Sequence, residues 1–527
     1  MIFTSFEFIA FFLIVLIGYY LIFPNLRWIW LLAASFYFYT KASPQFLPYI
    51  LASVAVIYAS SRMIGYLDSR KASYFQKNEL TKDEKKAYNK HCTRNKKIFC
   101  AAGIILNVGM LAFTKYFNFV GESVSAITGG TFTALDIIVP LGISFYTFQS
   151  TGYLIDVYRG MYEPQKNPMK YALFILFFPQ IMQGPIGRYN DLAPQLFEPC
   201  KFDYARLKSG LVRMLWGFFK KMVIADRAAL LVNTVFDNWK PYSGAVIWTA
   251  VFLYAVQLYA DFSGGIDISR GVSQLFGIDL AENFRRPYFS RNISEYWHRW
   301  HITLGAWLRE YLFYPIAMSK LFQKFGRSLK KHFGMKISKV LPVSIASLIT
   351  FIVVGIWHGA YWRYVGFGLW NGLIIMVSTL LEDKYAVWKK TLHIRDTNKL
   401  FILFQMFRTF LIVLVGYYFD IAPGFTAALK MMWLSITDFH ISELADPAIF
   451  DALGVSSASL ILVAIAVFAL LVCSIVQECS GRTLREMICS KGFWAEAGVF
   501  LLLFWVVAIF GVYGPGTNPA EFVYMQF

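Results

Sequence analysis

Charge is scarce in this chain. Asp, Glu, Lys and Arg make up 16% of its 527 residues, against about 25% in a soluble domain. Hydrophobic residues reach 57% and aromatic ones 18%, a surplus that excludes one aqueous globule and suits helices in lipid. Acid is scarcer than base, 32 Asp and Glu against 50 Lys and Arg, for a formal net charge of +18. On a soluble protein that excess suggests nucleic acid. Here the basic residues gather between apolar runs, as the positive-inside rule expects, so a lipid bilayer and no nucleic acid is the expected partner. The six cysteines show no metal-ligand spacing, so free thiols and no metal are expected. No internal repeat, low-complexity tract or soluble domain interrupts the sequence. The first apolar run, residues 6–23, has no charged flank before it and no small-residue cleavage site after it. It reads as a first retained span.

What the chain does have is apolar runs of spanning length. They fall at 6–23, 27–41, 46–64, 98–118, 134–152, 209–232, 244–260, 341–359, 362–381, 400–418, 455–476 and 495–513. The expected fold class is all-α: a polytopic membrane protein of about twelve transmembrane helices, one domain over 1–527. Ten Lys or Arg lie in 70–97, seven in 320–339 and five in 384–399, so those three loops are placed in the cytosol. Residues 419–454 carry Asp420, Asp438, Glu443, Asp446 and Asp451 against Lys430 and are placed outside. Both termini then lie outside the cytosol. Two further segments dip in without crossing: 171–184, which ends at Gly184-Pro185, and the amphipathic 292–318. Such backbone persists at membrane depth only where protein or a water-filled cavity surrounds it, so a central tunnel is expected.

Polar residues inside these runs are the candidates for chemistry. His358 ends a stretch, Leu341 to Trp357, that holds no charge. An ionisable side chain there needs a partner or a cavity; an imidazole that merely caps a helix end fits the residues equally well. Gly355 and Gly359, four apart, allow a second helix to approach. Asn292 and Glu295 have capping-box spacing, and a helix from there puts His301 one turn above Trp297 and beside His298. His301 is read as lining the cavity, and His298 as an interfacial residue. Asp261 closes the 244–260 run, with Arg285 and Arg286 beyond it. The arginines are candidates for the phosphates of a nucleotide-bearing donor, although positive-inside anchoring explains them as well. Trp297, Trp300 and Trp357 complete the set of tunnel candidates.

These strings carry a resemblance. The run from Gln257 to Pro315, QLYADFSGG…YWHRWHITLGAWLREYLFYP, follows LGISFYTFQSTGYLIDVYRG (141–160), FPQIMQGPIGRYNDLAPQL (178–196) and GFFKKMVIAD (217–226). In that order they resemble the membrane-bound O-acyltransferase family over about 135–380. The bacterial branch that acetylates alginate and peptidoglycan is most similar, with teichoic-acid D-alanylation proteins next. The resemblance implies His358 as the catalytic histidine and His301 as the second active-site histidine. The stretch from Tyr314 to Lys320 with the basic insert after it, and Leu369-Trp370-Asn371-Gly372, depart from the family pattern, and they bear on the acceptor. The tail 514–527, with Phe522, Tyr524 and Phe527, resembles the Tyr-bearing C-terminus of the acyl-relay partners of these enzymes, here in cis.

The implied function is movement of an acyl group, expected to be acetyl, from a cytosolic thioester such as acetyl-CoA across the bacterial cell membrane. Tyr524 would carry it toward a cell-envelope polysaccharide, with an extracytoplasmic esterase-like transferase as partner. No permanently bound cofactor is expected. D-alanyl transfer to teichoic acid is the alternative within acyl transfer. A glycan transporter is the alternative outside it, and would carry inverted repeats, of which none is seen.

Overall fold

Caps set the starts of the helices. Thr81 and Glu84 form a reciprocal capping box ahead of Lys82–Thr128. Side-chain oxygens of Asn292, Ser319 and Asn398 likewise accept a backbone N–H at the heads of Ile293–Arg299, Lys320–His358 and Lys399–Ile421. The computed structural model describes residues 3–446, 449, 453, 456–513 and 522. Among them no β-strand forms; one isolated bridge joins Phe284 to Trp300. The protein is all-α and polytopic. Its outer faces are apolar, with Trp494 85% and Leu400 76% exposed, a surface that only lipid can cover.

Among the described residues, seven helices are long and apolar enough to cross a bilayer: Pro44–Lys77, Lys82–Thr128, Gly244–Leu275, Lys320–His358, Lys399–Ile421, Ser457–Ser480 and Phe493–Phe510. The bent pair Trp362–Leu380 and Glu382–Thr391 makes an eighth if it is one span. Twelve crossings were expected. The 6–23 run is a shorter apolar helix, Phe6–Leu21. The 27–41 run is the 16-residue helix Arg27–Ala42, and of 134–152 only the part from Ile143 is helical. The 209–232 run is Tyr204–Phe218, a π-helical turn Phe219–Ala225 and Asp226–Asp237; it carries Lys220, Lys221, Asp226 and Arg227, too many charges for a simple lipid-facing span.

Two of the three basic segments, 70–97 and 320–339, are largely helical, whereas 392–398 within the third is a loop. Residues 70–97 continue Leu47–Lys77 and begin Lys82–Thr128, a 47-residue helix. At 1.5 Å per residue that helix is roughly 70 Å long, more than twice the hydrocarbon thickness. Residues 320–339 open the Lys320–His358 helix, which is interrupted at Gly334 where φ is +79°. Lysine and arginine are good helix formers, so a cluster of them does not end a helix.

The chain packs as two compact units. The first comprises Met1–Leu211 and Ser269–Ala281. Its core is aromatic: Phe178 meets Phe11 edge-on at 5.2 Å, and Phe276 meets Tyr19 at 5.2 Å. Asn107 stands among polar neighbours there, accepting from Ser53 at 2.6 Å and donating to Ser150 at 2.9 Å. The 171–184 segment lies in this unit as Pro168–Leu176 and Phe178–Ile181, broken at Phe177. The amide of Gln149 donates to the Phe174 carbonyl at 2.7 Å, and that of Gln180 to the Pro185 carbonyl at 2.8 Å. Broken backbone is satisfied by protein, as membrane depth requires.

The second unit comprises Val212–Ile268 and Glu282–Phe527. Here Lys320–His358 and Trp362–Leu380 approach closely: a Cβ on Gly355 would overlap the Tyr364 carbonyl, and one on Gly368 the Phe351 carbonyl. Small residues let the backbones touch, where dispersion drives association. That contact fixes the position of His358.

Candidate active site

His358 is the last residue of Lys320–His358. Its ring lies 5.3 Å from Trp357, perpendicular to it, and 5.2 Å from Phe367. Trp357 is also 6.2 Å from the ring of His301. Two imidazoles therefore neighbour one indole, which is 5% exposed. His301 was expected on a continuous helix above Trp297. The helix instead stops at Arg299, Trp300 is extended and bridged to Phe284, and His301 adopts φ +46° before Ile302–Leu308 begins. Left-handed backbone is costly for a branched side chain and tolerated by His. The break turns the imidazole away from Trp297 and onto Asn283.

That contact fixes a tautomer. Asn283 Oδ1 accepts the backbone N–H of Thr303 at 2.9 Å and the Thr303 hydroxyl at 2.9 Å, and lies 3.2 Å from His301 Nδ1. An atom that only accepts requires the proton on Nδ1, so Nε2 carries the lone pair. His301 lies outside the seven long apolar helices. Burial, with His358 close by, lowers its pKa to about 3, and the ring is neutral.

The tryptophans frame this centre. Trp297 Nε1 donates to Asn371 Oδ1 at 3.2 Å and packs on Phe351 at 5.1 Å. Trp300 is buried, stacked on Tyr296 at 5.7 Å. Asn371 comes from the Leu369-Trp370-Asn371-Gly372 stretch that departs from the family pattern.

The remaining candidates have carboxylate or ammonium partners. Asp261 lies inside the long Gly244–Leu275 helix rather than at its end. Its Oδ1 is 2.6 Å from Lys221 Nζ, which also meets Asp226 at 2.8 Å; all three side chains are at most 2% exposed. The π-helical turn around Lys221 makes this triad possible, because i→i+5 winding brings positions 221 and 226 together. Arg286 pairs with Glu478 at 2.6 Å, as does Arg299 at 2.9 Å, and Arg285 pairs with Glu282 at 2.8 Å. Tyr524 lies outside the described residues. Phe522, two positions before it, is described: it is 2% exposed, with its ring 4.3 Å from Lys221 Nζ. Val512 N–H donates to the Met222 carbonyl at 3.1 Å.

Sequence reading missed three partnerships. Asp420 was counted only as an outer-loop acid, yet it is buried with Oδ1 3.8 Å from His358 Nδ1; an acid directly ending an apolar run was the available signal. Lys221 with Asp226 carried a signal too, two charges five apart in an apolar run. Asn283 carried none.

The model of the membrane-bound O-acyltransferase family matches residues 165–329, inside the stretch where the resemblance was read. A probable alginate O-acetylase of Azotobacter vinelandii is 30% identical over 89% of this chain and 85% of its own length. A peptidoglycan O-acetyltransferase of Helicobacter pylori is 31% identical over 68% of this chain and 64% of its own length. A teichoic acid D-alanyltransferase of Bacillus subtilis is 28% identical over 54% of this chain and 69% of its own length. With its apolar helices and these relatives, the chain belongs to the membrane-bound O-acyltransferase family and is a multi-pass membrane enzyme that transfers acyl groups.

Proposed function

We propose that the protein moves an acetyl group from a cytosolic thioester, acetyl-CoA, to a bacterial cell-envelope polysaccharide. It would sit in the cytoplasmic membrane, with both termini outside. The observation that carries this reading is that His301 and His358 both lie within 6.2 Å of the Trp357 ring, in a chain whose relatives include alginate and peptidoglycan O-acetylating proteins.

The chemistry divides between the two rings. His358 is the general base. Imidazole is the side chain that most readily takes and returns a proton near neutral pH. It takes the proton of the acceptor hydroxyl as that oxygen bonds to the thioester carbonyl carbon. The C–S bond then breaks, and the proton passes from His358 to the thiolate, releasing a free thiol. Two roles are open to His301, orienting the acceptor or stabilising the oxyanion. A neutral ring with its proton on Nδ1 offers only a lone pair at Nε2, which leaves His301 the orienting role, while the one hydroxyl proton goes to His358. His301 cannot donate to an oxyanion from that nitrogen. Tyr524 is the first acceptor and passes the acyl group to an extracytoplasmic transferase. Asp261, Arg285 and Arg286 are assigned no contact with the donor, since each already has an ionic partner.

The test is acetyl transfer from labelled acetyl-CoA to envelope polymer in membranes holding His358→Ala or His301→Ala protein. Loss of a general base costs about 10²–10⁴-fold in rate, with insertion unchanged. Near-normal acetylation by inserted His358→Ala protein would remove His358 from the reaction.

A further inference from the structure

We infer that Asp420 is a positioning residue for His358, itself held by Tyr254. The inference rests on the assignment of His358 as the base, and the experiment below separates the two.

Asp420 lies in the last turn of Lys399–Ile421 and is 4% exposed. Its two oxygens have different duties. Oδ2 accepts the phenol O–H of Tyr254 at 2.8 Å, from Gly244–Leu275. Oδ1 faces His358 Nδ1 at 3.8 Å, with the two side chains 2% and 14% exposed. Three helices thus converge on one carboxylate. Other charged groups nearby are committed elsewhere. Arg363 donates to the Ile421 and Ala422 carbonyls and, at 3.0 Å, to the Tyr364 hydroxyl. It closes the end of the helix that carries Asp420 and forms no ion pair with the carboxylate within 4 Å. Tyr254 is fixed in turn by Tyr417, edge-on at 5.4 Å, whose hydroxyl meets those of Tyr296 at 2.9 Å and Tyr288 at 3.1 Å. The titratable groups around His358 are therefore Asp420 and, behind it, Tyr254, then Tyr364 and Arg363 on the neighbouring helix and His301 beyond Trp357.

A carboxylate is costly to keep in such a place, and satisfying one phenol does not require it, since an amide would do. A negative charge beside an imidazole does what an amide cannot. It holds the proton on Nδ1, leaving Nε2 as the base, and stabilises the imidazolium that forms when Nε2 takes a proton. At 3.8 Å the pair is looser than a hydrogen bond, as catalytic contacts often are before substrate binds. Tyr254 prevents the carboxylate from rotating away.

The experiment compares full-length wild type, Asp420→Asn, Tyr254→Phe and His358→Ala in permeabilised native membranes, where both faces meet the same pH. Acetyl-CoA is the donor and thiol release gives the rate. Asp420→Asn is expected to leave KM for acetyl-CoA unchanged and to lower kcat at least 10-fold, short of the roughly 10⁴-fold of a fully hydrogen-bonded Asp–His pair. The ascending limb of its pH–rate profile moves to lower pH, because the imidazolium has lost its counter-charge. Tyr254→Phe keeps the charge and loses only the tether, so kcat falls less and the limb stays at or above its wild-type pH. A structural role alone lowers the amount of inserted protein and moves no limb. If His358→Ala is inactive while Asp420→Asn keeps both the wild-type kcat and limb, Asp420 does not position the base. If Asp420→Asn fails to insert, a Tyr254→Phe protein of wild-type kcat overturns the inference. An active His358→Ala overturns instead the assignment beneath it.

Discussion

Asn283 decides which nitrogen of His301 carries the proton, because its Oδ1 already accepts two hydrogens from Thr303 and lies 3.2 Å from Nδ1. The amide holds the ring neutral without giving it a charge. Asn283→Asp would place a carboxylate there and raise the His301 pKa from its burial-depressed value. The active, neutral ring then appears only at higher pH, so the pH–rate profile of Asn283→Asp is expected to shift toward alkaline pH. Asn283→Leu leaves Thr303 N–H and His301 Nδ1 without their acceptor. It is expected to lose activity by about 5- to 150-fold, the equivalent of about 1–3 kcal/mol. An Asn283→Asp profile superimposable on wild type would refute the tautomer argument.

Gly355 sets the distance between the helix bearing His358 and its neighbour. A Cβ there overlaps the Tyr364 carbonyl and comes within 3.0 Å of Gly368 N. Backbone cannot step aside as a side chain can, so Gly355→Ala is expected to cost about 1–3 kcal/mol and to lower the thermal-inactivation midpoint. Gly498→Ala, whose Cβ meets nothing within 4 Å, serves as the control and should be silent. Equal midpoints for the two variants would contradict the packing described.

Lys221 is the cation between two carboxylates, Asp226 and Asp261, none of them more than 2% exposed at the side chain. Lys221→Met leaves two buried anions facing each other. Breaking such a set by removing one partner costs about 3–5 kcal/mol, so the variant is expected to give little folded protein on size-exclusion chromatography. The triple variant Lys221→Met, Asp226→Leu, Asp261→Leu removes the charges together and should recover folding. Failure of that rescue would mean that the charges do more than balance one another.

How legible all this was depended on range. The resemblance, the all-α class and the short buried 171–184 segment follow from local strings and hydropathy. His358 stood out because seventeen uncharged residues precede it. Asp420 did not, because its meaning lies in a contact 62 positions away along the chain. The break at Trp300–His301 was invisible because no Gly or Pro marks it; tertiary contacts from Phe284 and Asn283 impose it. The Lys221 triad was missed because 209–232 was read as an apolar span, and only the π-helical turn brings its charges together. Two of the basic segments were misread as loops because charge clusters mark membrane sides, not helix ends.

Orientation is a separate question from secondary structure. The basic helical arms at 70–97 and 320–339 are expected on the cytosolic side and 419–446 outside. Single cysteines placed at residues 85 and 330 in a cysteine-free background should resist an impermeant maleimide in intact cells and react after permeabilisation. One placed at 443 should react in both. Strong labelling at 85 or 330 in intact cells would invert the topology.

The last expectation concerns Tyr524. The helix Phe493–Phe510 ends at Gly511, and Gly514, Pro515 and Gly516 follow in the sequence. From there to Phe527 about eleven residues can reach roughly 35 Å when extended. Val512 N–H bonds to the Met222 carbonyl, and the Phe522 ring lies 4.3 Å from Lys221 Nζ. The tail carries no Lys or Arg, so no positive charge is drawn inward. A phenol is a poor nucleophile at its free pKa of about 10 and needs a base beside it, the role proposed for His358. Proton to imidazole, oxygen to acyl carbon and departure of the thiol give a phenolic ester. Phenolate leaves more readily than a sugar alkoxide, so the ester stays reactive toward a transferase outside the cell, where no nucleotide-linked donor exists. A merely interfacial ring predicts that Tyr524→Phe is nearly silent, since only the hydroxyl is lost. The relay predicts normal expression with no polymer acetylation. It also predicts an acetyl-sized mass increment on the C-terminal peptide of wild-type protein given acetyl-CoA without its partner, absent in Tyr524→Phe and in His358→Ala. An unmodified wild-type peptide together with an active Tyr524→Phe enzyme would leave direct transfer to the polymer in its place.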